Sequence, residues 1–282
     1  MGSLNADLIV RTARFPKAGE TLRGGDLEIL PGGKGANQAV AAARLGGSVR
    51  MVGAVGDDGN GNLLLASVAQ AGVDASRVVI RRNVPTGTAV IMVDEEGENT
   101  IVVSAGANGT LSPQDLAPDL FDGAAVLGLC LEIPIDTVVS AARAARQAGV
   151  TVLTNLSPYG QVPPELLRYT DVLLVNEHEA AQLGDHGVSR VIITRGAAGV
   201  TVYGGDTDPV DVPAVRVDPV DTTGCGDAFM GAIARQLAAD STLPDAAGYA
   251  AAVGAFAATR SGAQAAYPTE AELEAFLASL PR

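Results

Sequence analysis

The chain has 282 residues, 47% of them hydrophobic, and a formal net charge of −13. This length suits one large α/β domain, and the hydrophobic content is sufficient for a sizeable core and too high for a disordered chain. An acidic, aromatic-poor chain with two lysines, Lys17 and Lys34, is a poor candidate for binding nucleic acid or an anionic membrane surface.

The two cysteines and two histidines show no metal-ligand spacing, which argues against a zinc site. No segment resembling a signal peptide opens the chain. No apolar run reaches the ~20 residues that a membrane span needs. We therefore expect a soluble, cytoplasmic protein with reduced thiols.

Two segments, 8–31 and 84–104, have the pattern of a β-ribbon. In the second, β-rich residues 86–93 and 99–103 flank the turn formers of residues 94–98, which predicts a hairpin. Elsewhere helices and strands alternate, which predicts a doubly wound, mostly parallel sheet with helices on both faces. The expected helices are 35–45, 61–71, 134–148, 176–183, 225–239, 245–260 and 269–280, and the expected strands are 49–55, 124–129, 150–154, 172–175, 190–194 and 200–203.

Residues 221–229, Asp-Thr-Thr-Gly-Cys-Gly-Asp-Ala-Phe, carry the most informative local pattern. Gly224 and Gly226 allow a tight turn in which successive N–H groups point at one spot, and the following helix start adds about half a positive charge. This suits a phosphate in transfer, with an ionised Asp227 beside it as the base that accepts a hydroxyl proton. The motif alone fits a glycine-rich turn with an ordinary helix-start aspartate equally well.

Two common nucleotide-binding patterns are excluded. The Gly33-Lys34 pair is followed by Gly35, so the chain has no G-x-x-x-x-G-K-[ST] sequence. Phe229 stands where the third glycine of a G-x-G-x-x-G pattern would follow Gly224 and Gly226. The sequence is therefore neither of the P-loop nor of the Rossmann type.

Residues 31–38, Pro-Gly-Gly-Lys-Gly-Ala-Asn-Gln, lead from the first ribbon into a helix. Their glycines let a ligand approach backbone N–H groups, and Asn37 can pair with sugar hydroxyls as both donor and acceptor. Residue types alone favour a plain loop with N-capping.

Several motifs resemble the ribokinase (PfkB) family, in the same order and over nearly the whole chain. They are residues 2–7, 32–39, 176–179 and 221–227, with shorter matches at 86–87, 97–99 and 105–108. The resemblance implies one α/β kinase domain over residues 1–282, with a small β-sheet lid formed by 8–31 and 84–104. It also implies phosphorylation of the 5-hydroxyl of D-ribose by MgATP, and a homodimer whose lids interlock.

The same resemblance gives roles to individual residues. Asp227 would be the base, and Gly224, Cys225 and Gly226 would supply the anion hole. Without the family match, Glu132 would be taken as a solvated loop carboxylate. The sugar pocket would be lined by Asn5, Asp7, Gly33, Lys34, Asn37 and Glu132.

Nucleotide and metal sites also follow from the resemblance. Asn176 and Glu179 match an N-x-x-E element associated with Mg²⁺ and phosphate, Glu179 acting through water. An N-cap Asn with an exposed Glu is the alternative. Thr194, Gly196 and Gly199 resemble the turn under the nucleotide phosphates, and a K⁺ site would combine Asp221 with the carbonyls of Thr223, Ala257, Arg260 and Gly262.

The chain departs from the family in three places. The family runs a strand into the motif at residues 2–7, so we expect the sheet to lack that strand and to hold Asn5 and Asp7 less firmly, unless the start site is misplaced. The family's extra helix is missing around residues 184–189. Ala266 replaces a cation-ligating Ser, and Ala251 replaces a polar residue that faces adenine. The K⁺ site and the contact with adenine are therefore the least secure assignments.

Two alternatives to ribose phosphorylation stay open. One is another kinase of this family, acting on deoxyribose, another sugar or a nucleoside. The other is a sugar-binding relative without turnover, against which the intact motif at 224–227 argues.

Overall fold

A computed structural model describes residues 1–160, 162–204 and 208–280. The strands are β1 (Asn5–Arg11), β2 (Glu28–Gly32), β3 (Arg50–Gly56), β4 (Asp74–Arg81), β5 (Gly87–Val93), β6 (Asn99–Ser104), β7 (Val126–Leu129), β8 (Thr151–Asn155), β9 (Val172–Asn176), β10 (Arg190–Thr194), β11 (Val200–Gly204) and β12 (Val210–Val212). The helices are α1 (Lys34–Arg44), α2 (Gly59–Gln70), α3 (Ile135–Gln147), α4 (Pro164–Tyr169), α5 (Glu177–Leu183), α6 (Cys225–Leu237), α7 (Leu243–Ala258) and α8 (Glu270–Ser279).

The larger sheet contains six strands in the order β12-β11-β10-β9-β8-β7. Strands β7 to β10 are parallel, and β11 and β12 add an antiparallel edge. Alternate residues of β9 face opposite sides. Val172 and Leu174 pack with residues of α1, α6 and α7, whereas Leu173 and Val175 pack with residues of α5. The predicted mostly parallel sheet with helices on both faces is confirmed.

A separate four-stranded sheet has the order β2-β1-β5-β6. The hairpin predicted in the second ribbon segment forms as the antiparallel pair β5 and β6. The first ribbon segment is a strand only at its two ends, because residues 12–27 connect β1 to β2 without joining the sheet.

The first residues of the chain lie between two parts of the fold. The Met1 amine donates to the Gly128 carbonyl of β7 at 2.8 Å, and the Gly2 N–H donates to the Val52 carbonyl of β3 at 3.1 Å. Strands β3 and β4 form their own parallel pair beyond this segment. Asn5 is held firmly all the same, since it pairs with β2 on one side and β5 on the other. The larger sheet ends at β7 and has no strand at residues 1–4, as expected. The pairing of β1 with its two neighbours does not depend on that strand.

Residues 184–189 form no helix, in agreement with the sequence. Three elements were not predicted, and each is short or carries polar residues among its apolar ones. They are β4, α4 and β12.

Helices α1 and α6 approach each other closely at one glycine. A Cβ at Gly231 would lie 2.6 Å from Ala41 Cβ and 2.6 Å from the Gln38 carbonyl oxygen. No side chain fits there without moving one helix away from the other. This contact matters for the site because α6 begins with residues 225–227 and α1 begins with residues 34–38.

We predict that Gly231→Ala destabilises the fold by about 1–3 kcal/mol, because the added methyl group overpacks the interface between the helices. Gly248→Ala is the matched control, since Gly248 lies inside α7 and its nearest neighbour to a new Cβ is 4.0 Å away. That variant should be unchanged or more stable by about 0.5–1 kcal/mol through helix propensity. Urea unfolding of both variants measures the difference, and equal stabilities would contradict the close packing.

Candidate active site

The carboxylate of Asp227 is buried between the starts of α6 and α1. Its side chain is 7% exposed. Asn37 Nδ2 donates to Asp227 Oδ2 at 3.0 Å, and Gln38 Nε2 donates to Asp227 Oδ1 at 2.9 Å. Each oxygen therefore has one fixed donor, and the carboxylate plane is set by α1.

Burial dominates the electrostatics of this carboxylate. Desolvation raises the pKa of Asp227 above its ordinary value, and the positive charge of Lys34 and the donors Asn37 and Gln38 offset part of the rise. The helix N-terminus alone predicts an ionised Asp227, and burial acts in the opposite direction. The added basicity suits a group that must take a proton from a hydroxyl.

Asn37 is itself held by a second amide. Gln264 Nε2 donates to Asn37 Oδ1 at 3.0 Å, and Ser67 Oγ donates to Gln264 Oε1 at 2.8 Å. Both ends of the Asn37 amide thus contact protein groups. It was predicted to bind sugar hydroxyls, and the geometry gives it the further task of orienting Asp227.

The glycine turn before α6 has the predicted tight form. Gly224 is left-handed, with φ 74°, and a Cβ there would lie 2.5 Å from the Tyr267 hydroxyl oxygen. Tyr267 Oη donates to the Gly224 carbonyl at 3.1 Å, and the Cys225 N–H donates to the Thr222 carbonyl at 3.2 Å. Gly226 is the second residue of the helix, where a backbone N–H has no partner within the helix.

Two cavities meet at this turn. A cavity of about 150 Å³ lies on the side of Asp227. A cavity of about 870 Å³ lies on the other side, between the end of β10, the segment after β12, and α7. Thr194 and Gly226 line both. The smaller cavity is also lined by Lys34, Asn155, Ser157, Leu174, Val175, Asn176, Glu179, Gly224 and Asp227.

The larger cavity has the composition expected for a flat, mostly apolar ligand. Phe229, Val215 and Ala255 are among its apolar lining residues. Gly196, Gly199 and Ala251 also line it, as the resemblance implied for nucleotide contacts. Gly199 has φ 93°, so its turn requires glycine.

The predicted sugar-binding residues are gathered beside Asp227. Gly33 has φ 88°, and a Cβ there would lie 2.6 Å from the Asn5 backbone nitrogen, which brings the start of α1 onto β1. Glu132 accepts from Ser3 Oγ and, at 3.2 Å, from the Lys34 N–H, so it is not a solvated carboxylate. Asn5 Oδ1 accepts from Asn108 Nδ2 at 2.8 Å.

The negative charges of Glu132 and Asp227 act on the carboxylate of Asp7. Burial, followed by the charges of Glu132 and Asp227, raises the pKa of Asp7 to about 7. Three carboxylates whose charges act on one another favour a ligand that offers hydroxyl donors, and Lys34 lines the smaller cavity beside Asp227.

Asn176 and Glu179 form a reciprocal cap at the start of α5. The Asn176 N–H donates to Glu179 Oε2 and the Glu179 N–H donates to Asn176 Oδ1, both at 2.8 Å. Asn176 is therefore an N-cap, whereas Glu179 is buried at 7% exposure and lines the smaller cavity. One Glu179 oxygen remains outside the cap.

The residues predicted for a potassium site come from two neighbouring loops. Asp221 Oδ1 accepts from the Thr223 N–H at 2.9 Å, and Asp221 Oδ2 accepts from the Gly262 N–H at 2.8 Å. The Ala257 carbonyl accepts from the Arg260 N–H at 3.1 Å. The structure thus brings the two loops together, and Ala266 nearby is fully buried.

Four polar residues of the site were missed by the sequence reasoning. Gln38 follows Asn37 directly, so its position at the helix start was a usable signal. Asn108 ends the family match at residues 105–108, which was a usable signal too, whereas Asn155 and Gln264 come from distant segments and gave no local signal.

Within residues 1–160, 162–204 and 208–280, no helix is long and apolar enough to span a membrane. The same part of the chain contains no cluster of three or more His, Cys, Asp or Glu side chains that could hold a metal ion.

Comparison with known proteins agrees with the geometry. The family model described as "pfkB family carbohydrate kinase" matches residues 1–270. The ribokinase of Haemophilus influenzae is 35% identical over 98% of this chain and 97% of its own length, and the deoxyribokinase of Salmonella typhi is 33% identical over 98% and 97%. The solved structure of Arabidopsis thaliana ribokinase complexed with ribose and ATP superposes with a TM-score of 0.91, at 30% identity, over 99% of this chain and 97% of that one. The chain belongs to the pfkB family of carbohydrate kinases.

Proposed function

We propose that the protein transfers the γ-phosphoryl group of ATP to the 5-hydroxyl of D-ribose, giving D-ribose 5-phosphate and ADP. The observation that carries this proposal is the position of Asp227, whose buried carboxylate lines the smaller cavity one residue after Gly226, which lines both cavities. The pocket with Asp7 and Glu132 suits a small polyhydroxy ligand, and the larger, mostly apolar cavity suits a nucleotide.

In the reaction, Asp227 accepts the proton of the sugar hydroxyl as its oxygen attacks the γ-phosphorus. The new P–O bond forms as the bond to the β-phosphate bridging oxygen breaks, and ADP leaves with that electron pair. The N–H groups at the start of α6 stabilise the negative charge on the phosphoryl oxygens, with Gly226 best placed because its N–H has no partner within the helix. Gly224 and Cys225 shape the turn.

A magnesium ion fits the Glu179 side of the smaller cavity. One Glu179 oxygen is free of the cap, and a cavity of about 150 Å³ has room for several water molecules. Mg²⁺ keeps much of its hydration shell, so one carboxylate acting through water is sufficient alongside the ATP phosphates. The metal would neutralise phosphate charge while Asn176 and Thr194 border the phosphates.

A potassium ion fits the loop pair that follows β12 and α7. Asp221 supplies carboxylate charge, and the Ala257 carbonyl keeps a second lone pair after accepting the Arg260 N–H. The carbonyls of Thr223, Arg260 and Gly262 would complete the site. Bound there, the ion would stabilise the turn that leads into Gly224 and would not contact the transferred group.

We further propose that the four-stranded sheet is a lid over the sugar and a contact between two copies of the chain. Consecutive strand residues face opposite sides, yet Ile101, Val102 and Val103 of β6 are 51%, 65% and 55% exposed. Both faces of β6 are therefore open and apolar. One face would cover the sugar, and the other would meet the lid of a second copy in a homodimer.

Since the reaction consumes ATP, we place it in the cytoplasm.

Deoxyribose is the second candidate sugar, because the deoxyribokinase of Salmonella typhi is nearly as similar to this chain as the ribokinases are. The two sugars differ by one hydroxyl. Asp7 and Glu132 offer enough acceptors for every hydroxyl of ribose, and an acceptor left unpaired in a buried pocket disfavours the smaller sugar.

We predict that ribose gives the highest kcat/KM in an assay of ADP release across ribose, deoxyribose, fructose and adenosine with MgATP. A higher value for deoxyribose would reassign the substrate within the same family. Sugar binding without turnover of any of the four would contradict the kinase proposal and favour a sugar-binding relative.

We predict that Asp227→Asn lowers kcat by about 10²–10⁴-fold, because it removes the base and preserves the shape of the side chain. Binding of ribose and of ATP, measured by calorimetry, should change little. Asp122→Asn is the control, since Asp122 is an exposed aspartate. Near-normal kcat in Asp227→Asn would rule out the base mechanism.

We predict that ribose binds about tenfold more weakly at pH 6 than at pH 8. With a pKa of about 7, Asp7 is mostly ionised at the higher pH and mostly protonated at the lower, and only the carboxylate accepts from two hydroxyls. Calorimetric titration over this range tests the effect. Asp7→Asn should bind weakly and without this pH dependence, and an unchanged pH profile in that variant would show that another group titrates.

A further inference from the structure

Asn155 is a buried amide that the proposed mechanism leaves without a role. It is the last residue of β8, is 7% exposed, and lines the smaller cavity together with Glu179 and Asp227. The carboxyl ends of β8 and β9 are adjacent, since Asn155 pairs in register with Leu174. Asn155 thus faces the space where the hydroxyl, the phosphoryl group and the metal must meet.

Among the described residues no protein group forms a hydrogen bond with the Asn155 side chain, and its amide is open to the cavity because it is not among the fully buried atoms that lack a partner. The preceding residue behaves differently: Thr154 points to the opposite side of the strand, and its hydroxyl lies 2.8 Å from the Thr170 hydroxyl. An amide that is buried from bulk solvent and open only to a cavity forms its hydrogen bonds with water or a ligand in that cavity.

The charges around the cavity indicate what this amide binds. Two carboxylates, Glu179 and Asp227, already offer oxygen atoms to a cation or a hydroxyl, whereas Lys34 is the cationic side chain among the lining residues. A phosphoryl group in transfer spreads negative charge over its equatorial oxygens and needs donors on more than one side. The amides at the start of α6 come from one wall of the cavity, and Asn155 lies on the wall formed by β8 and β9.

We propose that Asn155 contacts the phosphoryl group in transfer, with Nδ2 donating to one of its oxygens from the β8 side of the cavity. The inference rests on the proposed kinase function and adds a side-chain donor to it. Hydrogen bonds that strengthen as charge develops lower the barrier without tightening substrate binding.

The test compares Asn155→Ala with the unaltered protein and with Thr154→Val, a control on the same strand that faces away from the cavity. Asn155→Ala should lower kcat by about 100-fold, as removal of one such donor does elsewhere, with KM for ribose and ATP within about threefold. Thr154→Val should lower the unfolding temperature and leave kcat unchanged. Normal kcat in Asn155→Ala overturns the proposal.

A binding measurement separates charge stabilisation from a purely structural role. The complex of ADP, aluminium fluoride, Mg²⁺ and ribose mimics the transferred group, so Asn155→Ala should weaken it by a factor similar to the loss in kcat. Binding of ADP alone should be unchanged. Equal weakening of both ligands would show that the cavity has merely deformed, and would overturn the proposal.

Asn155→Asp distinguishes the phosphoryl group from the metal as the partner of this side chain. It keeps the shape and replaces the donor by a negative charge, so it should be less active than Asn155→Ala. An active Asn155→Asp with half-maximal activity at lower Mg²⁺ would identify a metal contact and overturn the proposal. No turnover by the unaltered protein would instead remove the proposed function, and this inference with it.

Discussion

The site depends on keeping one carboxylate out of water at the start of a helix. Burying an anion is costly, and the buried Asp227 is tolerable because two side-chain amides and the charge of Lys34 compensate it in part. The compensation is incomplete, and that deficit raises the basicity of the carboxylate. A fully solvated aspartate would be a weaker base, and a fully paired one could not release its donors to a substrate. The function therefore follows from an energetic compromise made within the core.

This compromise explains why α1 and α6 must be so close. Asn37 and Gln38 reach Asp227 only because Gly231 lets the two helices approach at backbone distance. Lys34 is the first residue of α1, and the absence of a side chain at Gly33 allows the start of this helix to pack closely against β1. Helix α1 thus orients the proposed base, Asp227, through two hydrogen bonds and also supplies residues predicted to bind the sugar. A small shift of α1 would change the pKa of the base and the shape of the pocket together.

Local pattern was sufficient for much of this architecture. The strand and helix alternation, the hairpin of β5 and β6, and the glycine turn before Asp227 were predicted because each has a short-range cause. The sheet order, the edge strands β4 and β12, and the segment at residues 1–3 between β3 and β7 depend on distant partners. Contacts between distant residues in the site could not be predicted either. Gln264 and Asn37 are 227 positions apart in the sequence, and no periodic pattern indicates their hydrogen bond. The burial of Asp227 could not be predicted from the sequence either. Its pKa is raised mainly by desolvation, which depends on the packing around the side chain.

The proposed base, Asp227, directly follows Gly226, whose N–H is the proposed phosphate donor, at the start of α6. In the proposed mechanism, the Gly226 N–H and the Asp227 carboxylate belong to the first turn of one helix, so any movement of α6 would carry the two groups together. The two cavities share Thr194 and Gly226, so in the proposed reaction the sugar and the nucleotide would approach this turn from different sides. A movement of the proposed lid would then change access to the sugar while the distance from Asp227 to the Gly226 N–H stays fixed. Asn155 belongs to the larger sheet, so in the proposed mechanism the distance between β8 and the start of α6 would be the second one that in-line transfer requires to be fixed.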